Sequence, residues 1–176
     1  MNFERTLLLI ESFFKRKERP FAVIGAFGLQ AYGLTRATRD LDFAVETAVQ
    51  DELVDYLVSQ GYETLHLSSG YSNHLNPDPG LGRLDFVYVE GETARLLFAS
   101  AREALEIGGI RAHVPAPEHL VAMKVHAIKN DPSRTFRELA DIQFLMSLPG
   151  VNMEQVRTYF EKAGLLERYD EIRRFL

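Results

Sequence analysis

Apolar positions Leu7, Leu8, Ile10, Phe13 and Phe14 recur at helical spacing across residues 3 to 15, and Pro20 separates them from FAVIG, a short apolar run that predicts a buried strand. After Gly25, AFGLQAY predicts one or two turns of helix with Gly33 at its C-terminal cap. A polar loop, LTRAT, then feeds a second strand, DLDFAV. DELVDYLVSQ (51–60) has the period of a surface helix with Leu53, Val54, Leu57 and Val58 inward. YSNHLNPDPGLG (71–82) is rich in turn formers and precedes a further strand, RLDFVYV. TARLLFASAREALEI (93–107) predicts a helix that breaks near Ser100, and GIRAHVPA (109–116) a last strand. From Pro117 the pattern is helical: EHLVAMKVHAIK, then RELADIQFLMSL, then two short segments. No linker, repeat or low-complexity stretch divides the chain.

With 176 residues, 46% of them hydrophobic, the chain is long enough to bury a sizeable core as one domain. No apolar run approaches the roughly 20 residues that cross a bilayer. Glu4 and Glu11 flank the N-terminal apolar stretch, unlike a secretory signal, so no membrane association and a cytoplasmic location are expected. The absence of cysteine excludes disulfides, thiolate zinc sites and cysteine nucleophiles. A net charge of −5 argues against broad nucleic-acid binding but leaves room for a local basic patch.

The chemistry concentrates in RATRDLDFAVE (36–46). On a strand, Asp40 and Asp42 project together while Leu41, Phe43 and Val45 face the other side. Neighbouring carboxylates repel unless a cation or hydrogen-bond donors stabilise them, and a divalent metal supplies that compensation. Magnesium uses one or two carboxylates with water and phosphate oxygens, which suits a D-x-D; a solvated strand end shows the same spacing. Asp85, in RLDFVYV, shares a face with Val87 and Val89 opposite Leu84, Phe86 and Tyr88, and on an adjacent strand it completes a three-carboxylate cradle. VIGAFGLQAYG places a strand end at Gly25 and a helix start directly after it, where backbone amides favour a phosphate. Its spacing is neither a Walker loop nor G-x-G-x-x-G.

Together these residues resemble the nucleotidyltransferase superfamily with the polymerase-beta-like fold. More narrowly, VIGAFGLQAYGLTRATRDLDFAV looks like the minimal nucleotidyltransferases of the AbiEii toxin-like group, with Gly25 and Ala26 at the glycine motif, Arg36 and Thr38 in the loop, Asp40 and Asp42 as the metal pair and Asp85 as third carboxylate. The likeness extends to Lys124 in PAPEHLVAMKVHAIK and to Asp141 in RELADI. It implies an α/β (α+β) fold: a small mixed sheet flanked by helices over residues 1–116, with a C-terminal helical segment, 117–176, packed on it as one unit. The implied reaction moves a nucleoside monophosphate from an NTP to an acceptor hydroxyl. Asp40, Asp42 and Asp85 would hold two Mg2+ ions, or Mn2+. Gly25, Ala26, Arg36, Thr38, Arg39 and Lys124 would serve the nucleotide. The implied partners are the NTP, an acceptor that is RNA (tRNA), protein or a small molecule, and a cognate antitoxin or toxin. Two positions depart from the pattern: Ala26 replaces a second glycine or small polar residue, and Arg137-Glu138 stands for Lys-Asp.

Other chemistry is less supported. None of the five histidines forms H-E-x-x-H, although His119 and His126 flank Lys124. Lys124 on an apolar helix also fits a lysine whose stem is buried and whose charge reaches water. Thr38 and Ser72 lack an evident base, which disfavours a hydrolase nucleophile. Two alternatives to transfer remain open: a nucleotide- or protein-binding module with a degenerate form of this fold, and a metal-dependent phosphohydrolase.

Overall fold

The computed structural model describes residues 1–176, and residue contacts divide them into two compact units, Met1–Pro115 and Ala116–Leu176. In the first, α1 (Phe3–Lys17) begins at Asn2, whose side chain accepts the Arg5 amide, and ends at Glu18 in the left-handed region with φ 52°. β1 (Phe21–Val23) leads into the short α2 (Gly25–Ala31), and the loop that follows delivers β2 (Asp40–Glu46). Next come α3 (Gln50–Ser59), β3 (Glu63–Leu67), β4 (Tyr71–Leu75), β5 (Arg83–Val89) and α4 (Gly91–Ser100). A separate hairpin, β6 (Arg102–Ile107) and β7 (Ile110–Val114), completes the unit.

The main sheet has five strands in the order β1-β2-β5-β4-β3. β2 and β5 are parallel neighbours at its centre; every other pairing is antiparallel. Parallel strands need a long crossover. Here α3 and the β3–β4 hairpin lie within it. The two central strands alternate as their period-two patterns predict. Leu41, Phe43, Val45, Leu84, Phe86 and Tyr88 are buried, while Asp40, Asp42 and Asp85 on the other face are only half-buried. The buried face carries a run of rings. Phe86 stacks on Phe43 at 5.3 Å, Phe43 meets Phe21 at 6.0 Å, and Phe21 stacks on Phe14 of α1 at 5.0 Å. Fully burying such a ring contributes about 1.5–3 kcal/mol, and this part of the core lies between α1 and the sheet face opposite the three carboxylates.

The structure corrects three sequence expectations. REALEI is strand β6, not the second half of a helix: Gly108 and Gly109, both at positive φ, turn the chain so that Arg102–Ile107 pairs with Ile110–Val114. YSNHL is strand β4 with its alternation inverted. Ser72 and His74 are fully buried while Tyr71 and Leu75 face out, because Ser72 Oγ bonds both His74 Nε2 (2.8 Å) and Tyr88 Oη (2.7 Å), and Thr64 Oγ1 bonds His74 Nδ1 (3.1 Å). Val58 is exposed on α3, where Leu53 and Leu57 supply the buried side.

The second unit is helical: α5 (Pro117–Asn130), α6 (Thr135–Met146), α7 (Met153–Ala163) and α8 (Leu166–Arg173). Pro117 occupies the first turn of α5, where its missing N–H leaves no hydrogen bond unmade. α5 packs on α6 and α7, and α7 on α8, around Val121, Val125, Ile142, Leu145, Val156 and Phe160. Glu118 at the start of α5 accepts the Asn152 amide at 2.6 Å, tying that end to the N-terminus of α7.

Candidate active site

The parallel register of β2 and β5 sets Asp42 directly beside Asp85 and Asp40 beside Arg83. A one-residue slip would send one strand's acidic side chain to the apolar face. As built, one carboxylate oxygen from each of Asp40, Asp42 and Asp85 lies within 4.8 Å of the other two, and all three residues are half-buried. The Thr38 hydroxyl donates to Asp40 Oδ1 and so orients that carboxylate from the loop before β2.

Gly25 is constrained by the same cluster. It opens α2 at φ +60°, and a β-carbon there would overlap the Asp42 carboxylate. The Ile24 amide donates to the Asp42 carbonyl at 2.9 Å, fixing the β1–α2 turn against β2. α2 has no side-chain N-cap, so none of its first-turn amides is taken by a capping side chain. Ala26 is buried one residue on.

Cations border the cluster. Arg83 Nε–H donates to Asp85 Oδ1 at 2.9 Å. This hydrogen bond, with the charges of Asp85, Asp40 and Asp42, raises the guanidinium's affinity for its proton despite partial burial. Sequence reading missed Arg83. The signal was available, since in R-L-D the arginine stands two residues before Asp85 and shares its face. Arg36 and Arg39 are exposed in the loop that carries Thr38.

Lys124 has a setting that neither sequence reading describes. It is buried in the helical unit, with its ammonium 2.8 Å from Glu138 Oε2 and 2.5 Å from Asp141 Oδ2. Arg134 and Arg137 reach Glu138 Oε1 at 2.7 and 3.3 Å. Burial pushes the Glu138 carboxyl up, but the charge and hydrogen bond of Lys124, then Arg134, outweigh it and hold the group at about 2. Arg137-Glu138, which stands where the resemblance expects Lys-Asp, is thus part of an ion-pair network around Lys124. His119 lies 3.4 Å from the Tyr159 hydroxyl and His126 2.8 Å from Asn130; burial lowers the His119 pKa.

Among solved structures, the chain is similar to the antibiotic-resistance factor ANT(2″)-Ia, at 14% identity and a TM-score of 0.67 over 99% of this chain and 98% of that one. It is also similar to ANT(2″)-Ia in complex with adenylyl-2″-tobramycin, at 15% identity and a TM-score of 0.63 over 93% and 96% of the two chains. The lincosamide antibiotic adenylyltransferase LnuA, with lincomycin bound, matches at 15% identity and a TM-score of 0.56 over 82% of this chain and 96% of that one. No protein-family model matches the chain, and no curated protein matches it in sequence. At these identities the likeness is one of fold, and the fold is that of the nucleotidyltransferases.

Proposed function

We propose that the chain is a metal-dependent nucleotidyltransferase that moves a nucleoside monophosphate from an NTP to an acceptor hydroxyl and releases pyrophosphate. One observation carries it: three carboxylates converge within 4.8 Å on adjacent parallel strands of a sheet with this fold. The donor set is all oxygen, without sulfur or imidazole, and fits Mg2+ or Mn2+. Asp40, Asp42 and Asp85 would hold the ions. Once bound, these would screen the triphosphate and lower the pKa of the acceptor hydroxyl.

The chain's own groups divide the remaining work. Thr38 keeps Asp40 turned into the cluster, and Gly25 leaves the space that Asp42 fills. The Gly25 and Ala26 amides offer donors to a phosphate without a competing cap, while Arg36 and Arg39 bring positive charge to the loop where pyrophosphate would depart. Asp85, on β5 at the middle of the sheet, would take up the acceptor's proton. Lys124 is left out of this scheme because Glu138 and Asp141 already balance its charge.

The proposal includes the finer expectations: Mg2+ as the ion, ATP among the NTPs, and the AbiEii toxin-like group with its cognate antitoxin. The loop residues Arg36 and Thr38 support the last. ANT(2″)-Ia was solved with adenylyl-2″-tobramycin and LnuA with lincomycin, so small hydroxyl-bearing antibiotics join tRNA and protein as acceptors to be tried. The test is incubation with each α-labelled NTP, Mg2+ and, in separate arms, total tRNA, soluble cell protein, an aminoglycoside and a lincosamide. Label in one arm that disappears with Asp42→Asn supports transfer. Release of phosphate with no labelled acceptor favours the phosphohydrolase, and NTP binding with neither product favours the binding module.

A further inference from the structure

The site face of β5 carries a cation as well as a carboxylate. Arg83 stands opposite Asp40 in the parallel register and opposite Leu75 in the antiparallel one, so its side chain emerges on the face of all three carboxylates. Its Nε–H donates to Asp85 Oδ1 at 2.9 Å; the Arg83 side chain is 44% exposed and that of Asp85 20%. The anchored end of this pair is thus the carboxylate, and the cation is the end with room to move.

We infer that Arg83 is a built-in counter-cation that occupies Asp85 in the metal-free protein and that a divalent ion must displace in order to use it. This rests on the metal-dependent reading above. An arginine on Oδ1 and a metal ion drawing on the same carboxylate share one negative charge, and if both stay close they repel. Metal entry at Asp85 therefore breaks a charge-assisted hydrogen bond and leaves a positive charge beside the ion. Affinity at Asp85 stays low until the guanidinium finds another anion. Its planar fork suits a phosphate as well as a carboxylate, so an arriving triphosphate relieves the competition. Arg83 thereby links metal loading at the third carboxylate to the presence of nucleotide. It is a positioning residue, acting through Asp85.

The alternative role, a splint that merely holds Asp85 in place, predicts the opposite sign. If Arg83 only braces Asp85, removing it weakens metal binding; if it competes, removing it strengthens binding. The test is Mn2+ binding to the whole chain without nucleotide, by calorimetry and by the electron paramagnetic resonance signal of free Mn2+. The variants are Arg83→Gln, Arg83→Lys, Asp85→Asn and the double variant Arg83→Gln/Asp85→Asn. Arg83→Gln is expected to bind Mn2+ about ten-fold more tightly, and Arg83→Lys, which keeps the charge, to stay close to wild type. The double variant is expected to bind no better than Asp85→Asn. Binding by wild type that is unchanged or weaker in Arg83→Gln overturns the competing role alone. No Mn2+ binding by any variant overturns the metal-dependent reading and this inference with it.

Discussion

Gly25 meets two demands at one position: a left-handed backbone and no side chain against the Asp42 carboxylate. Gly25→Ala is therefore expected to cost about 1–3 kcal/mol in urea unfolding and to displace Asp42, abolishing Mn2+ binding. A variant that unfolds and binds Mn2+ like wild type would show that the contact with Asp42 does not constrain the residue. Asp40→Asn has the opposite expectation. It relieves like-charge repulsion while keeping an oxygen for Thr38, so the metal-free protein should melt at the same temperature or higher. Clear destabilisation would make Asp40 a structural residue. At this scale the carboxylates were legible because a period of two fixes which side chains share a face. The partners of Lys124 were not, since Glu138 and Asp141 stand 14 and 17 residues away on another helix, and only packing decides whether a lysine stem leads its charge to water or to buried acids.

Among the elements, the long helices and the two central strands could be read from periodicity, while the hairpins could not. Ala, Leu and Glu in REALEI favour helix locally, and the Gly108-Gly109 turn overrides them through pairing. β4 buries its polar side chains because Thr64, Ser72, His74 and Tyr88 satisfy one another across strands, a pattern that no single strand displays. This network makes a pH prediction. Burial lowers the His74 pKa below 6.5, so its stabilising effect is present above the unfolded value and is lost as pH falls through the folded one. Unfolding free energy should therefore drop from pH 7 to pH 5, less so in His74→Gln; equal drops in the two proteins would remove His74 as a cause. His119, also depressed by burial, contributes in the same direction. Across α5 and α6, Lys124→Met leaves Glu138 and Asp141 buried without their ammonium. The expected cost is about 3–5 kcal/mol, read by urea unfolding followed by circular dichroism. A loss under about 1 kcal/mol would mean the network behaves as a surface ion pair.

For the molecule as a whole, charge sets the condition on function. The chain carries a net −5, and an NTP brings about four further negative charges to a site built around three carboxylates. If the chain binds an NTP there as proposed, nucleotide and divalent metal must bind in a coupled way. The fold could be anticipated through the family resemblance that the glycine turn, the D-x-D and the later Asp85 carry; the acceptor could not, because acceptor choice depends on surfaces that no spacing rule encodes. Calorimetric titration of ATP into the wild-type chain and into Asp42→Asn, each with and without Mg2+, addresses the coupling. Weak ATP binding without the metal, at least ten-fold tighter binding with it, and loss of that gain in Asp42→Asn is the expected result. Tight ATP binding by wild type that ignores Mg2+ would contradict a metal-dependent nucleotidyltransferase and point to a binding module.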